Sequence, residues 1–321
     1  MLEQQMSIAN DKNANINRDI NKAGTPPESG NSETMRSRER KWEDNDFVPV
    51  ILKRSDEAVR HPDDILEKAI LEGAEQIRRP FVSLALSSVA AGIILGFTAM
   101  VVAVVYAHEG FLENPLSFRL ATAMVYPLGF VVCIMSGTQL FTEHTAKAIY
   151  PFLEGKAGSA GLLRLWAIII IGNIIGTIII AVLLTFSDGV IQAKEGYIAI
   201  ANHFTRYGNG EIFISSLLAG CLMAQGGWLV FATPPNISQI ASIYIVTFLI
   251  GIGRLHHSIA GSAEMFTALF ISDQFTLQQV VRCVGMSIIG NLFGGSVFVG
   301  ALNYAHIRKT QKLAAGSPAS S

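Results

Sequence analysis

From Phe81 onward the chain carries six apolar runs: residues 81–106, 119–150, 163–185, 211–232, 238–271 and 279–305. Each is long enough for a helix to cross the hydrocarbon core of a bilayer, which takes about 20 residues. The charges are placed to match. Of 49 charged side chains, 29 lie in the first 80 residues and only 20 in the remaining 241, too few to coat a soluble domain of that size. This argues against a soluble globular enzyme. With 24 Lys+Arg against 25 Asp+Glu, no basic excess points to nucleic acid. The pattern predicts an all-α integral membrane protein with six transmembrane helices.

Residues 1–60 are rich in Asn, Ser and charge, with almost no apolar periodicity before Phe47, a composition that does not bury enough surface to order the chain. They are expected to form a disordered cytoplasmic tail. No basic segment followed by an apolar one marks a signal peptide. Over 61–79, Ile65, Ala69, Ile70, Ala74 and Ile77 share one helix face. Asp63 and Asp64 suit its first turn, Arg78 and Arg79 its last. Two readings stand side by side, an amphipathic surface helix or an ordinary linker helix. The transport domain is expected over 80–307 and a cytoplasmic C-terminal tail over 308–321. Basic residues favour the flanks shared by both termini (Arg78, Arg79, Lys147, Lys156, Arg164, Arg308, Lys309, Lys312) over the opposite loops (Arg119, Lys194, Arg206, Arg282), which places both termini in the cytoplasm.

The second and fifth runs are too long for one straight span, and each holds a polar cluster: Ser136-Gly137-Thr138-Gln139 and Gly253-Arg254-Leu255-His256-His257-Ser258. Backbone that leaves the helix at membrane depth needs protein or a water-filled cavity to satisfy it, so two interrupted spans point to a transport site. Self-comparison pairs Gln139-Leu140-Phe141-Thr142 with Glu264-Met265-Phe266-Thr267, Ile171–Gly176 with Ile289–Gly294, and Ala91-Gly92 with Ala219-Gly220. Two repeats of three spans follow, and an odd number per repeat makes them inverted. Gly172/Gly176 and Gly290/Gly294 are small-xxx-small packing pairs, and Asn173 and Asn291 are expected to hydrogen-bond across helices.

His257, at the fifth-span break, is the sharpest site candidate, because imidazole exchanges a proton near neutrality and ionisable groups inside spans are functional candidates. Thr142 is its expected partner across the pseudo-axis. Leu140 and Phe141 give the second break an apolar side that resists bare anions. Arg254 and Arg164 either attract anions or serve packing and pairing, for instance with Glu264 or Glu143. Glu143 and Lys147 read as a helix-surface pair. The histidines are a poor set for two-haem ligation, Cys133, Cys221 and Cys283 show no paired spacing, and no nucleotide, nucleophile-elbow or metal motif occurs. Neither a cofactor nor a metal is expected.

Gln139-Leu140-Phe141-Thr142-Glu143, Gly172-Asn173, His257-Ser258-Ile259-Ala260 and Gly290-Asn291, in this order, resemble the formate/nitrite transporter family over about residues 62–307. Within it the chain is most similar to the YfdC branch, through Arg164-Leu165-Trp166, Gly261-Ser262 and Ala305-His306-Ile307-Arg308. The resemblance implies an aquaporin-like protomer, a homopentamer with one pore per protomer in a bacterial inner membrane, and small monovalent anions or their acids as cargo. It also implies a pore lined by His257, Ser258, Thr142, Leu140 and Phe141. Gly220 and Gly261 stand where relatives often carry asparagine, so the pore lining is expected to be altered and wider there. That width motivates an alternative cargo, a small neutral solute or a short carboxylate.

Overall fold

The computed structural model describes residues 62–108, 110, 114–233 and 237–316. The tail expected over 1–60 lies outside these, and of the tail expected over 308–321 residues 308–316 are described, as helix. All regular structure among the described residues is helical. Helix α1 (Pro62–Arg78) buries Ile65, Leu66, Ala69, Ile70, Gly73 and Ile77. It is followed directly by α2 (Phe81–Ala107).

The second span divides into α3 (Pro115–Val125), α4 (Pro127–Met135) and α5 (Phe141–Leu153). Pro127 has no N–H to continue the helix from α3. Then come α6 (Ser159–Ile191), α7 (Lys194–Thr205), α8 (Asn209–Ala232), α9 (Ile237–Gly253) and α10 (Ser258–Ile271). The last span runs through α11 (Leu277–Phe293), a π-helical segment (Gly294–Ala301) and α12 (Leu302–Gly316). It continues past residue 305, where the sequence reading ends the sixth span.

Five of these stretches are long and apolar enough to cross a membrane, and the α9–α10 pair, bent by 52° at its break, makes six. Pro115–Met135 by itself is long and apolar enough for the second crossing. Helix α5 is less apolar because Glu143, His144 and Lys147 lie within it. Only 44–50% of the residues in the spans' apolar windows are buried. The rest of that apolar surface faces outward, as expected of helices solvated by lipid rather than water.

Helix α1 packs on α5, α6 and α8, so its apolar face is covered by protein. The face is slightly rotated from the one read in sequence, with Leu66 and Gly73 buried and Ala74 half-buried.

Two helix pairs organise the body, α2 against α6 and α8 against α11. At Gly176 a Cβ would meet the Gly92 Cα at 2.9 Å, and at Gly220 a Cβ would meet the Asn291 Cα at 2.6 Å. Only glycine permits backbones that close, the contact type that holds membrane helices together. The same bonding also recurs outside the glycines. Arg164 donates to the carbonyls of Ile77 and Arg79 at 3.3 and 3.2 Å. Arg282 donates to those of Thr205 and Tyr207, both at 2.9 Å. Residues 77, 79 and 92 correspond to 205, 207 and 220, a constant offset of 128, while 164 and 282 differ by 118. Each arginine closes the C-terminal end of the helix that leads into α2 or α8, satisfying carbonyls that the helix leaves open. Arg164 thus bonds backbone, and among the described residues no carboxylate lies within ion-pair distance of it.

On the face that carries α1, Arg308 ties three elements together. It bridges Glu154 at 2.9 Å and Glu67 of α1 at 3.0 Å, and the Tyr304 hydroxyl donates to Glu154 at 2.7 Å. The Tyr304 hydrogen bond, with Arg308 beside it, holds the Glu154 carboxyl below the usual carboxylate range. A carboxylate depressed in the folded state adds stability above its unfolded pKa and loses it as pH falls through the folded one. Arg308→Gln is therefore expected to lower thermal stability at neutral pH, by about 1 kcal/mol or less because the pair is partly exposed. The difference from wild type should shrink as pH falls below about 4. Melting curves of detergent-solubilised protein at both pH values test this, and an equal difference throughout would remove Glu154 from the account.

Candidate functional site

The two breaks are built by one device used twice. After α4, Gly137 turns the backbone into the left-handed region at φ 69°. Leu140 is extended, and α5 starts at Phe141. After α9, Arg254 makes the same turn at φ 50°, His257 is extended, and α10 starts at Ser258. Each new helix begins with an amide that needs an acceptor, and an asparagine from another span supplies it. Asn173 accepts from the Phe141 N–H at 2.9 Å and donates to the carbonyls of Ser88 and Gln139, both at 2.8 Å. Asn291 accepts from the Ser258 N–H at 2.8 Å and donates to Ser216 at 2.6 Å and His256 at 3.3 Å. Backbone freed from a helix inside a membrane must be satisfied by its neighbours, and two buried carboxamides do so.

These bonds correct the register of the internal match. They equate Phe141 with Ser258, hence Leu140 with His257, and not Gln139–Thr142 with Glu264–Thr267. The latter stretch lies more than a turn along α10, and its likeness to residues 139–142 comes from composition alone. Across the two breaks, the centre is occupied by one leucine and one histidine.

His257 and Thr142 meet: Thr142 Oγ1 and His257 Nε2 are 2.9 Å apart, and both side chains are buried. His257 also caps α10, its Nδ1 accepting from the Ala260 N–H at 3.2 Å. A ring nitrogen that accepts carries no proton, so in the neutral ring the proton sits on Nε2 and points at Thr142. The Thr142 hydroxyl then accepts from histidine and keeps its own hydrogen for another acceptor. Ser258 Oγ, Gln139 Oε1 and His256 Nε2 are buried beside the breaks without a protein hydrogen-bond partner.

Two rings absent from the sequence reading close on this centre. Phe130 of α4 stands edge-on to His257 at 4.9 Å. Phe204 of α7 stands edge-on to His256 at 4.6 Å. A Cβ at Gly261 would lie 2.7 Å from the Phe204 ring, and one at Gly220 would strike the Asn291 backbone. Neither glycine leaves open space, because a ring fills one site and a helix the other, so the expected widening is not found. No sequence period singles out Phe130 or Phe204. Arg282 was legible, since its spacing from Arg164 equals that between Asn173 and Asn291.

Outside Phe204 lies a cavity of about 670 Å³ lined by Arg119, Arg206, Arg254, His203, His256 and Glu211 among others. His203 and His256 stack there at 6.2 Å. Burial, helped by Arg206 and Arg254, pushes the His203 ring down to about 4, so the positive charge of this vestibule comes from its arginines. The Arg254 guanidinium lies over Phe118 at 5.2 Å and Tyr106 at 5.7 Å. Among the described residues no carboxylate lies within ion-pair distance of it, Glu264 included.

The comparisons with known proteins agree with this architecture. A solved structure described as an FNT family ion channel is similar at a TM-score of 0.69 and 20% identity, covering 76% of this chain and 99% of that one. One described as a pentameric formate channel with formate bound is similar at 0.59 and 20%, covering 71% and 98%. Among curated proteins, the inner membrane protein YfdC of Escherichia coli (strain K12) is 28% identical over 244 residues, covering 74% of this chain and 76% of that protein. The family profile described as Formate/nitrite transporter matches residues 63–305, a stretch that contains both breaks, both asparagines and the His257–Thr142 contact, and the chain belongs to that family.

Proposed function

We propose that each protomer is a channel for small monovalent weak-acid anions, formate, nitrite or similar, that move together with a proton. The observation that carries this reading is the bond between Thr142 and His257, which joins the starts of two half-helices inside the membrane-spanning body. Helix N-termini attract anions. The Thr142 hydroxyl offers a hydrogen bond with His257 Nε2–H behind it. A proton taken up from the pathway at Nδ1, in place of the Ala260 cap, makes the ring an imidazolium. The ring then passes its Nε2 proton on through that hydroxyl to the anion and returns to neutral. Phe130 and Phe204 flank the breaks with apolar surface, where a bare anion loses its hydration at great cost. A neutral acid crosses such a slit far more readily, so transfer of a proton at the centre serves passage. The protein is proposed to work as a homopentamer in a bacterial inner membrane, with both termini cytoplasmic and the two halves as inverted copies.

Arg254 is the proposed anion-gathering residue of the vestibule. A side chain other than glycine in the left-handed region costs about 1 kcal/mol or more, and such strain is often held for function. Arg254→Gly should therefore relieve about 1 kcal/mol of backbone strain while losing the contacts with Phe118 and Tyr106, so thermal stability should change little. It should also weaken transport at low anion concentration several-fold, with little change at saturation. A variant with unaltered concentration dependence would sink this assignment.

The direct test is anion-driven swelling with internal pH recorded in proteoliposomes, across formate, nitrite, hydrosulfide, acetate and lactate. Saturable, pH-dependent flux falling with anion size supports the reading. Equal flux for neutral solutes of the same size would favour the alternative cargo, and verified folded protein without flux would refute both.

A further inference from the structure

Helix α5 carries a second charged feature one residue beyond Thr142. The Lys147 ammonium donates to the Glu143 carboxylate one turn away, and their side chains are 13% and 6% exposed. This is not the solvated helix-surface pair that spacing alone suggests, because α5 is enclosed by α1, α6, α8 and the π-helical segment. Lys147 Nζ sits 4.8 Å from the Phe231 ring centroid, a cation–π contact that holds it in place. Gly227 of α8 faces both side chains, with a hypothetical Cβ 3.8 Å from Glu143 Cγ and 3.9 Å from Lys147 Cε. Glu143 also lines a small cavity with Ile134, Met223, Val230 and Thr247. The five steps from Thr142 to Lys147 rise about 7.5 Å along the helix, toward the face where Arg308 joins Glu154 to Glu67 of α1.

A buried ion pair is a poor stabiliser, since desolvating two charges offsets most of their attraction and an apolar pair does as well or better. Here it lies on the α1 side of the His257–Thr142 centre, on the same helix and beside a gap. As a unit it is neutral, so it imposes no net charge on a passing ion, yet its ammonium has the chemistry to receive a monovalent carboxylate in place of Glu143.

We propose that Glu143 and Lys147 set anion selectivity on the α1 side of the pathway, Lys147 as the group that receives the anion leaving Thr142–His257 and Glu143 as the internal carboxylate that occupies Lys147 when no anion is there. Competition between the two carboxylates keeps Lys147 from holding the cargo. The inference rests on the transport reading above and adds two specificity-determining residues to it.

The test is formate flux in proteoliposomes for full-length wild type, Glu143→Gln, Lys147→Met and the double variant, each checked by size exclusion. Glu143→Gln leaves an unopposed ammonium, and the concentration for half-maximal flux should fall severalfold together with the maximal rate. Lys147→Met leaves an unopposed carboxylate within about 8 Å of the centre, and flux should fall about tenfold or more. Removing both charges restores a neutral passage, so the double variant should conduct better than Lys147→Met alone. The diagnostic is the Glu143→Gln result, because a purely structural pair loses flux in both single variants and leaves the concentration for half-maximal flux unchanged. If wild-type flux is lost in His257→Leu while Glu143→Gln and Lys147→Met behave as wild type, the inference fails and the transport reading stands. If folded wild type carries no flux, both fail.

Discussion

Replacing His257 by asparagine should leave the protein folded while flattening the pH dependence of its anion flux. The histidine does two jobs in the structure: Nδ1 caps α10 through the Ala260 N–H and Nε2 meets Thr142. Asparagine is among the best N-caps, so it retains the first role and has no proton to exchange for the second. Leucine loses both. A hydrogen bond to a charged partner is worth about 1.5–3 kcal/mol. Its loss at the barrier slows passage about 10- to 100-fold at 1.36 kcal/mol per decade. His257→Leu should thus lose at least tenfold in flux and about 1 kcal/mol of stability from the missing cap. Flux and internal pH in proteoliposomes, beside melting curves, separate the two effects. A His257→Asn protein with the wild-type pH profile would take the proton role away from His257.

Asn291→Leu should be the most destabilising single change in the body of the protein. Its carboxamide serves the Ser258 N–H and the Ser216 and His256 carbonyls, and leucine leaves all three buried groups unserved. At about 1–3 kcal/mol for each unsatisfied group, the loss is on the order of 3–9 kcal/mol, comparable with the net stability of a domain. Asn291→Asp keeps an acceptor for Ser258 and loses the donor, so its melting temperature should fall between wild type and Asn291→Leu. The same logic applies to Asn173, which serves Phe141, Ser88 and Gln139. Two melting temperatures close to wild type would mean that the breaks are held by packing and not by these carboxamides.

Much of this architecture was readable because a bilayer imposes simple demands. Apolar runs of about 20 residues are costly anywhere else, and polar clusters inside them have to be satisfied. The six crossings and the two breaks follow from those demands applied to residues 81–305, while the contact of Thr142 with His257, expected from their places at the breaks, is made by the tertiary fold. The family resemblance rested on the same residues. The register of the internal match did not follow, since Gln-Leu-Phe-Thr and Glu-Met-Phe-Thr are alike in letters. Only the hydrogen bonds of Asn173 and Asn291 identify which residues occupy equivalent places.

What the chain alone decides is where backbone must leave the helix, because hydropathy and glycine act locally and along one dimension. What it leaves open is which side chains come to face one another across helices far apart in sequence. Glu143 and Lys147 read as a solvated pair until α1 and α8 close over them. Gly220 and Gly261 read as empty space until α11 and Phe204 fill it. Phe130 and Phe204 mark no pattern until they stand beside His257 and His256. Burial is a property of three-dimensional neighbours, and the same spacing of four residues gives a weak surface pair in water or a costly buried one inside the fold.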